Sequence, residues 1–137
     1  MEGPLRPATL GGMVAESPEQ LHHLLAAAFN AGDADAAVAL YERDARLIAP
    51  PDRREARGAA EIRAAVTETI AMRPTAELRV VGKVQQDGIA LTHGRWSMQG
   101  TDAAGERVSL SGRGTMVSRR QPEGHWLIAL DDAMVPE

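Results

Sequence analysis

His93, Arg95 and Asp131 are the residues of this chain whose types and spacing could together perform acid–base chemistry. Their relation rests on three turns. Asp87-Gly88 reads as a two-residue hairpin turn, while Asp102-Ala103-Ala104-Gly105 and Gln121-Pro122-Glu123-Gly124 read as four-residue turns. Directly opposed residues of a hairpin share a sheet face. Val84 then opposes Leu91, Gly82 opposes His93, and Val80 opposes Arg95. Across the next two turns His93 opposes Gly114, Arg95 opposes Gly112, Met116 opposes Ala129, and Gly114 opposes Asp131. His93, Gly114 and Asp131 form a row over three strands, with Arg95 one step along. Two strand spacings of about 4.8 Å put the His93 and Asp131 backbones roughly 10 Å apart, a gap that side chains can narrow over a glycine. An aspartate that orients a histidine fixes its tautomer and raises its basicity. Arg95 could stabilise an enolate or bind a carboxylate.

The same register gathers Leu78, Val80, Val84, Leu91, Val108, Leu110, Met116, Leu127 and Ala129 with that row. The other face holds Val81, Thr92, Trp96, Met98, Val117, Trp126, Ile128, Leu130 and Met134, too apolar to be left to water. A second copy of the sheet is the simplest cover, which predicts a homodimer with Trp96 and Trp126 near its centre. One β-bulge exchanges the faces beyond it. The tryptophans would then line the pocket, His93 and Arg95 would be exposed, and Asp132 would replace Asp131 if the last strand were flipped. His22 sits at the edge of the first helix's apolar face, within reach of a pocket, and His23 points away. The four histidines lack the close paired spacing of a metal site, so neither metal nor cofactor is expected.

These residues must be positioned by the elements before them. Met1 to Glu16, with Gly3, Pro4, Pro7, Gly11 and Gly12, shows no period and reads as a mobile tail (1–16), leaving one domain over 17–137. Ser17-Pro18-Glu19-Gln20 is a helix start with a cap, an N1 proline and a capping box. Leu21, Leu24, Leu25, Ala28 and Phe29 follow as one buried face. Asn30-Ala31-Gly32 stops this helix, and Asp33 caps a second one carrying Ala37, Val38, Leu40 and Tyr41. Asp33, Asp35 and Asp44 read as caps and turn formers. A strand follows over Ala45–Ala49, ended by Pro50 and Pro51. A third helix starts near Gly58, carries Ile62, Val66, Thr69 and Ile70 on one side, and stops before Pro74. From Thr75 the period changes to two. The whole reads as three helices with an early strand, then a four-stranded antiparallel meander, an α+β domain.

Composition bounds the possibilities. One domain of 137 residues, 44% apolar and 25% charged, is ordinary for a globular protein. A net charge of -4 argues against nucleic acid as the partner, because phosphate binding needs a dense basic face. With no cysteine, disulfides and thiol chemistry are excluded. No apolar run approaches the roughly 20 residues of a membrane span. No signal pattern opens the chain, which makes a cytoplasmic location the expectation.

FNAGDADAAVALYERDARLIAPP (29–51), the GAAEIRAAV helix and the SGRGTMVSRRQPEGHW hairpin, in this order, resemble the nuclear transport factor 2-like superfamily in its SnoaL-like, ketosteroid-isomerase-like branch. The resemblance covers Ser17 to about Met134. It implies a cone-shaped α+β barrel of a curved antiparallel sheet wrapped around three N-terminal helices, often dimeric. The pocket between helices and sheet would be lined by Leu25, Phe29, Tyr41, Ala49, Val66, Ile70, Leu110, Met116 and Ala129. Ketosteroid isomerases place a general-base Asp just before the proline ending the first strand, which here is Ala49. Their oxyanion-stabilising Tyr falls on Leu25, and its partner acid on Met116. All three positions are apolar, so enolisation by the family's usual residues is not expected.

Two functions follow as expectations. One is a cofactor-free acid–base enzyme (isomerase, cyclase or dehydratase) acting on an apolar carbonyl-containing metabolite, with His93, Asp131 and Arg95 as its machinery. The composition is compatible with secondary metabolism of the polyketide kind. The other is a non-catalytic ligand-binding or dimeric association module using the same pocket.

Overall fold

The computed structural model describes residues 13–136. Helix α1 (Pro18–Ala31) begins where Ser17 Oγ accepts from the Gln20 amide at 3.2 Å, and ends at Gly32, whose φ of 67° is the left-handed cap expected of a glycine. Asp33 Oδ1 accepts from the Ala36 amide at 3.0 Å and so caps helix α2 (Ala34–Val38). This helix is shorter than its apolar pattern suggests. Tyr41 does not extend it but opens strand β1 (Tyr41–Ala49), since β1 pairs along its length with the last strand. A short strand β2 (Arg54–Arg57), absent from the sequence reading, returns along β1 through a cis Pro50-Pro51 bond. Helix α3 (Gly58–Ile70) follows.

The expected meander is present as β3 (Thr75–Gln86), β4 (Ile89–Thr101), β5 (Arg107–Arg120) and β6 (Trp126–Asp132). With β1 and β2 it forms one curved, open sheet in the order β2-β1-β6-β5-β4-β3, in which β1 and β6 run parallel. The α+β class and the helices on the inner face of a curved sheet are as expected; the sheet does not close. Leu21 and Ala28 of α1, Ile62 and Val66 of α3, and Ile128 of β6 are fully buried between these layers. Asn30 ties the end of α1 to the edge strand, its amide accepting from Ala76 N at 2.6 Å and donating to Ala76 O at 3.0 Å.

Of the expected tail, residues 1–12 lie outside the described residues. Ala15 is buried and bridges β6, accepting from the Trp126 amide at 2.9 Å, so the ordered unit begins before Ser17.

Three irregularities set the sheet's faces. The turn after β4 is one residue longer than its glycine suggests, because Thr101 pairs with Arg107. His93 therefore pairs with Thr115, and Gly94 pairs with Gly114. A bulge between Val80 and Gly82 turns β3 over, so that Val80 and Val84 lie on opposite faces. On β6 a longer turn and a bulge beside Val117 offset each other, leaving Asp131 opposite Met116.

Candidate functional site

A cavity of about 100 Å³ opens between α1, α3 and the inner face of the sheet. Leu25 and Phe29 from α1, Val66 from α3, and Tyr41, Ala49 and Met116 from the sheet line it, as the sequence reading expected. Ile70, Leu110 and Ala129 do not. Ile70 packs half-buried against the core, Leu110 stands beside Met98 farther along β5, and Ala129 is buried at the β6 bulge. Leu47, Leu78, Trp96 and Met98 complete an almost wholly apolar wall.

Asp131 is the buried acid in this wall; Glu77, which also borders the cavity, is exposed. Asp131 is 5% exposed, and its Oδ2 accepts the hydroxyl hydrogen of Tyr41 at 2.7 Å. Its second oxygen has no partner among the described residues. Burial pushes the carboxyl up to about 6, against the Tyr41 hydrogen bond that favours the charged form; the neighbouring Asp132 pushes it up further. The Tyr41 phenol is itself raised well above its usual value, chiefly by burial and then by the Asp131 charge. At neutral pH the pair is a phenol and a carboxylate poised close to the solution pH.

His22 is the other buried polar residue that lines the cavity. It is 2% exposed, and its Nε2 lies 2.6 Å from Thr92 Oγ1 on β4. Burial depresses it to about 4, with a smaller push from His23, so the imidazole is neutral at pH 7. Glycines make room for these rings on the inner face. An ideal Cβ at Gly94 would stand 3.2 Å from His22 Nδ1, and one at Gly112 would stand 3.2 Å from the Trp96 ring. Trp96 lies across β5 and donates from Nε1 to the Ala133 carbonyl at 2.7 Å.

The expected row is not assembled. His93 and Arg95 are exposed on the outer face, where His93 Nδ1 lies 3.0 Å from Thr115 Oγ1, and only Asp131 reaches the cavity. The longer β4–β5 turn is the reason, because it moves each β4 residue by one against β5. Trp96 and Trp126 are on the inner side: Trp96 lines the cavity, and Trp126 is 3% exposed, so they cannot be the centre of a contact between sheet faces. Asp132 is engaged outside the cavity by Arg53 at 3.2 Å and by the Met134 amide at 3.1 Å. Arg53 also donates to the Met134 carbonyl. Asp35 pairs with Arg63 at 2.8 Å. Tyr41 was expected as pocket lining only. Its bond to Asp131 joins residues 90 positions apart, with no local signal to reveal it. No group of three or more potential metal ligands occurs among the described residues, and no described helix is long and apolar enough to cross a membrane.

No curated protein matches the chain. Solved structures do. A ketosteroid isomerase-like protein from Erwinia carotovora atroseptica is 21% identical, with a TM-score of 0.72 over 86% of this chain and 94% of its own. A nuclear transport factor 2-like superfamily protein from Salmonella enterica serovar Typhimurium is 16% identical, with a TM-score of 0.75 over 86% and 87%. A conserved protein from Planctomyces limnophilus is 20% identical, with a TM-score of 0.75 over 85% and 91%. At such identities the likeness is one of fold. The profile of the SnoaL-like domain matches residues 21–127, which spans most of α1 to the start of β6. The chain therefore belongs to the SnoaL-like domain family.

Proposed function

We propose that this protein is a cofactor-free acid–base enzyme acting on a small apolar carbonyl compound, with Asp131 as the general base. One observation carries the reading: a carboxylate with one oxygen held by Tyr41 and the other unengaged, pushed up to about 6 in an apolar cavity. A base is most useful when its pKa lies near the working pH. Asp131 takes a proton from the carbon beside the carbonyl, giving an enolate and a neutral carboxyl. Returning that proton to another carbon completes an isomerisation; attack of the enolate on a second carbonyl, with the proton passed from Asp131 to the alkoxide so formed, completes a cyclisation. Tyr41 keeps Asp131 charged before the transfer and fixes its orientation. The ketosteroid isomerase positions contribute no acid–base group here, being Ala49, Leu25 and Met116, and serve as apolar lining.

The test is exchange of the α-protons of one- and two-ring ketones such as 2-cyclohexenone and 1-indanone in D₂O, followed by proton NMR. Catalysed exchange that is lost in Asp131→Asn supports the enzyme. Saturable ketone binding with no exchange would hand the pocket to the alternative, a ligand-binding module.

The expected homodimer is retained in a different form. Val84, Leu91, Val117 and Leu130 lie in register as one apolar row across four strands of the outer face. A row that can stack on its own copy suits a two-fold contact.

A further inference from the structure

An enolate formed beside Asp131 needs a hydrogen-bond donor at its oxygen, and most donors along the cavity are already engaged. The Tyr41 hydroxyl donates to Asp131, Trp96 Nε1 donates to the Ala133 carbonyl, and the Thr69 hydroxyl donates to the Ala65 carbonyl at 3.2 Å. Ser97 also lines the cavity, but it pairs with Glu77 and Ser111 five residues beyond Thr92 on β4, away from the strand position of Asp131. His22, bonded to Thr92, remains, and its tautomer follows from its neighbour. Thr92 is fully buried, and its hydroxyl has no other acceptor among the described residues than His22 Nε2 at 2.6 Å. A buried hydroxyl left without an acceptor is unfavourable. The Thr92 hydrogen therefore points at Nε2, and the ring's own hydrogen sits on Nδ1. Nδ1 lies beside Gly94, which lines the cavity and carries no side chain to cover it.

We propose that His22, through its Nδ1–H, is the donor that binds the carbonyl oxygen of the ligand, opposite the base. This deepens the reading of Asp131 and rests on it. Thr92, Met116 and Asp131 stand abreast on β4, β5 and β6. Thr92, which holds His22 of α1, and Asp131 thus stand on strands roughly 10 Å apart, with the cavity between the helix and the sheet. The pocket accordingly selects compact ketones and enones over hydrocarbons of the same shape. A neutral imidazole serves this role better than a cation, because it stays uncharged in the apolar wall and strengthens its bond only as charge builds on the oxygen. His22 is held neutral by the same burial.

Nitrogen-15 NMR of histidine-labelled protein reads the tautomer directly. The His22 resonances are assigned by their loss in His22→Asn, and the Nδ1–H neutral form is expected at pH 7. An Nε2–H form in the ligand-free protein overturns the proposal whatever the ligand. The second measurement is exchange of 2-cyclohexenone. His22→Leu is expected to lower kcat about 100-fold with a smaller change in KM. His22→Asn, which keeps an N–H near the Nδ1 position, is expected to recover most of the loss. If Asp131→Asn abolishes exchange and His22→Leu does not, the base stands and the role of His22 falls. If Asp131→Asn has no effect, the base reading fails instead. Should His22→Leu not fold, the ¹³C carbonyl signal of bound 2-cyclohexenone decides. It moves downfield in the wild type and returns toward its solution value in Thr92→Val, where the tautomer is no longer fixed; an equal shift in both overturns the proposal.

Discussion

The Tyr41 hydroxyl and the Asp131 carboxylate meet at 2.7 Å although their strands do not place them opposite each other. In the parallel β1–β6 pair Asp131 stands beside Leu47, while Tyr41 stands beside Ile128. A register shift between Tyr41 and Arg46 separates the two pairings. The irregularity brings a donor to the acid that needs one. Without it Asp131 would be a lone carboxylate among apolar side chains, and such a group takes up a proton rather than staying charged.

Tyr41→Phe is therefore expected to raise the Asp131 carboxyl above its present value of about 6, because the lost hydrogen bond is what holds it down. At pH 7 a larger fraction of the base would be protonated, and proton exchange would shift to higher pH. The lost bond to a charged group is worth about 1–3 kcal/mol of stability. Carboxyl ¹³C titration and urea unfolding measure the two effects. An unmoved Asp131 titration would show that Tyr41 does not support the charge.

Asp131 and His22 make opposite contributions to stability against pH. The Asp131 carboxyl is raised from 3.8 to about 6, so between those values the folded chain holds the extra proton and stability falls as pH rises. His22 is lowered from 6.5 to about 4, so the unfolded chain holds the extra proton there and stability rises with pH. In the wild type the two trends nearly offset each other between pH 4 and 6. Asp131→Asn removes the falling limb and keeps the Tyr41 contact. Its stability should rise by on the order of 3 kcal/mol between pH 4 and 6.5. Urea midpoints across that range test it, and a profile as shallow as the wild type's would contradict the shifts.

Gly94→Ala is expected to disturb the site more than its size suggests. The added methyl would stand 3.2 Å from His22 Nδ1 and 3.3 Å from the backbone oxygen of Arg79, which cannot swing aside. The imidazole must move, and with it the 2.6 Å contact to Thr92. The expected loss is about 1–3 kcal/mol, with weakened binding of ketones. Urea unfolding and a ketone titration followed by NMR read both.

His93→Ala and Arg95→Ala should leave ketone binding and exchange unchanged within about twofold, since both side chains are exposed on the outer face. Kinetics of the two variants decide the point. A loss comparable to that of Asp131→Asn would mean that the outer face takes part in the chemistry.

These two residues also mark where the sequence stops being legible. Caps and tight turns are written locally: Ser17, Gly32 and Asp33 act as their types suggest, and Asp87 and Gly88 both adopt the positive φ of a primed hairpin turn. Register is not local. The bulge after Val80 and the bulge near Ala129 involve ordinary apolar residues that carry no turn signal, and the fifth residue of the β4–β5 turn follows a glycine that already looked sufficient. Each shift moves side chains to the other face. The two on β6 offset each other, so Asp131 faces inward, whereas the single shift on β4 sends His93 and Arg95 outward and brings Thr92 and Trp96 in. Tyr41 was hidden differently. The helical period of Ala37, Val38 and Leu40 runs into it, and only pairing with β6 shows it to be strand.

The outer face left by these shifts leads to a prediction about assembly. Val84 is 68% exposed and Leu130 49%, and with Leu91 and Val117 between them they form a continuous apolar row over β3, β4, β5 and β6. A parallel row of Arg79, Arg95 and Arg113 lies four residues along β4 and β5 from it. Like charges directly opposed on a sheet repel, so copies stacked with their arginine rows in contact would be disfavoured. A two-fold axis running along the apolar row avoids this, because it places each arginine row over the other flank of the facing sheet. The wild type is accordingly expected to sediment as a dimer at micromolar concentration. A Val84→Asp, Leu91→Asp double variant, altered only on the outer face, should be a folded monomer with its far-UV circular dichroism unchanged. A wild-type monomer would exclude the contact. A double variant that stays dimeric would move the interface off this row, whereas Trp96→Ala is expected to disturb the cavity and leave the dimer intact.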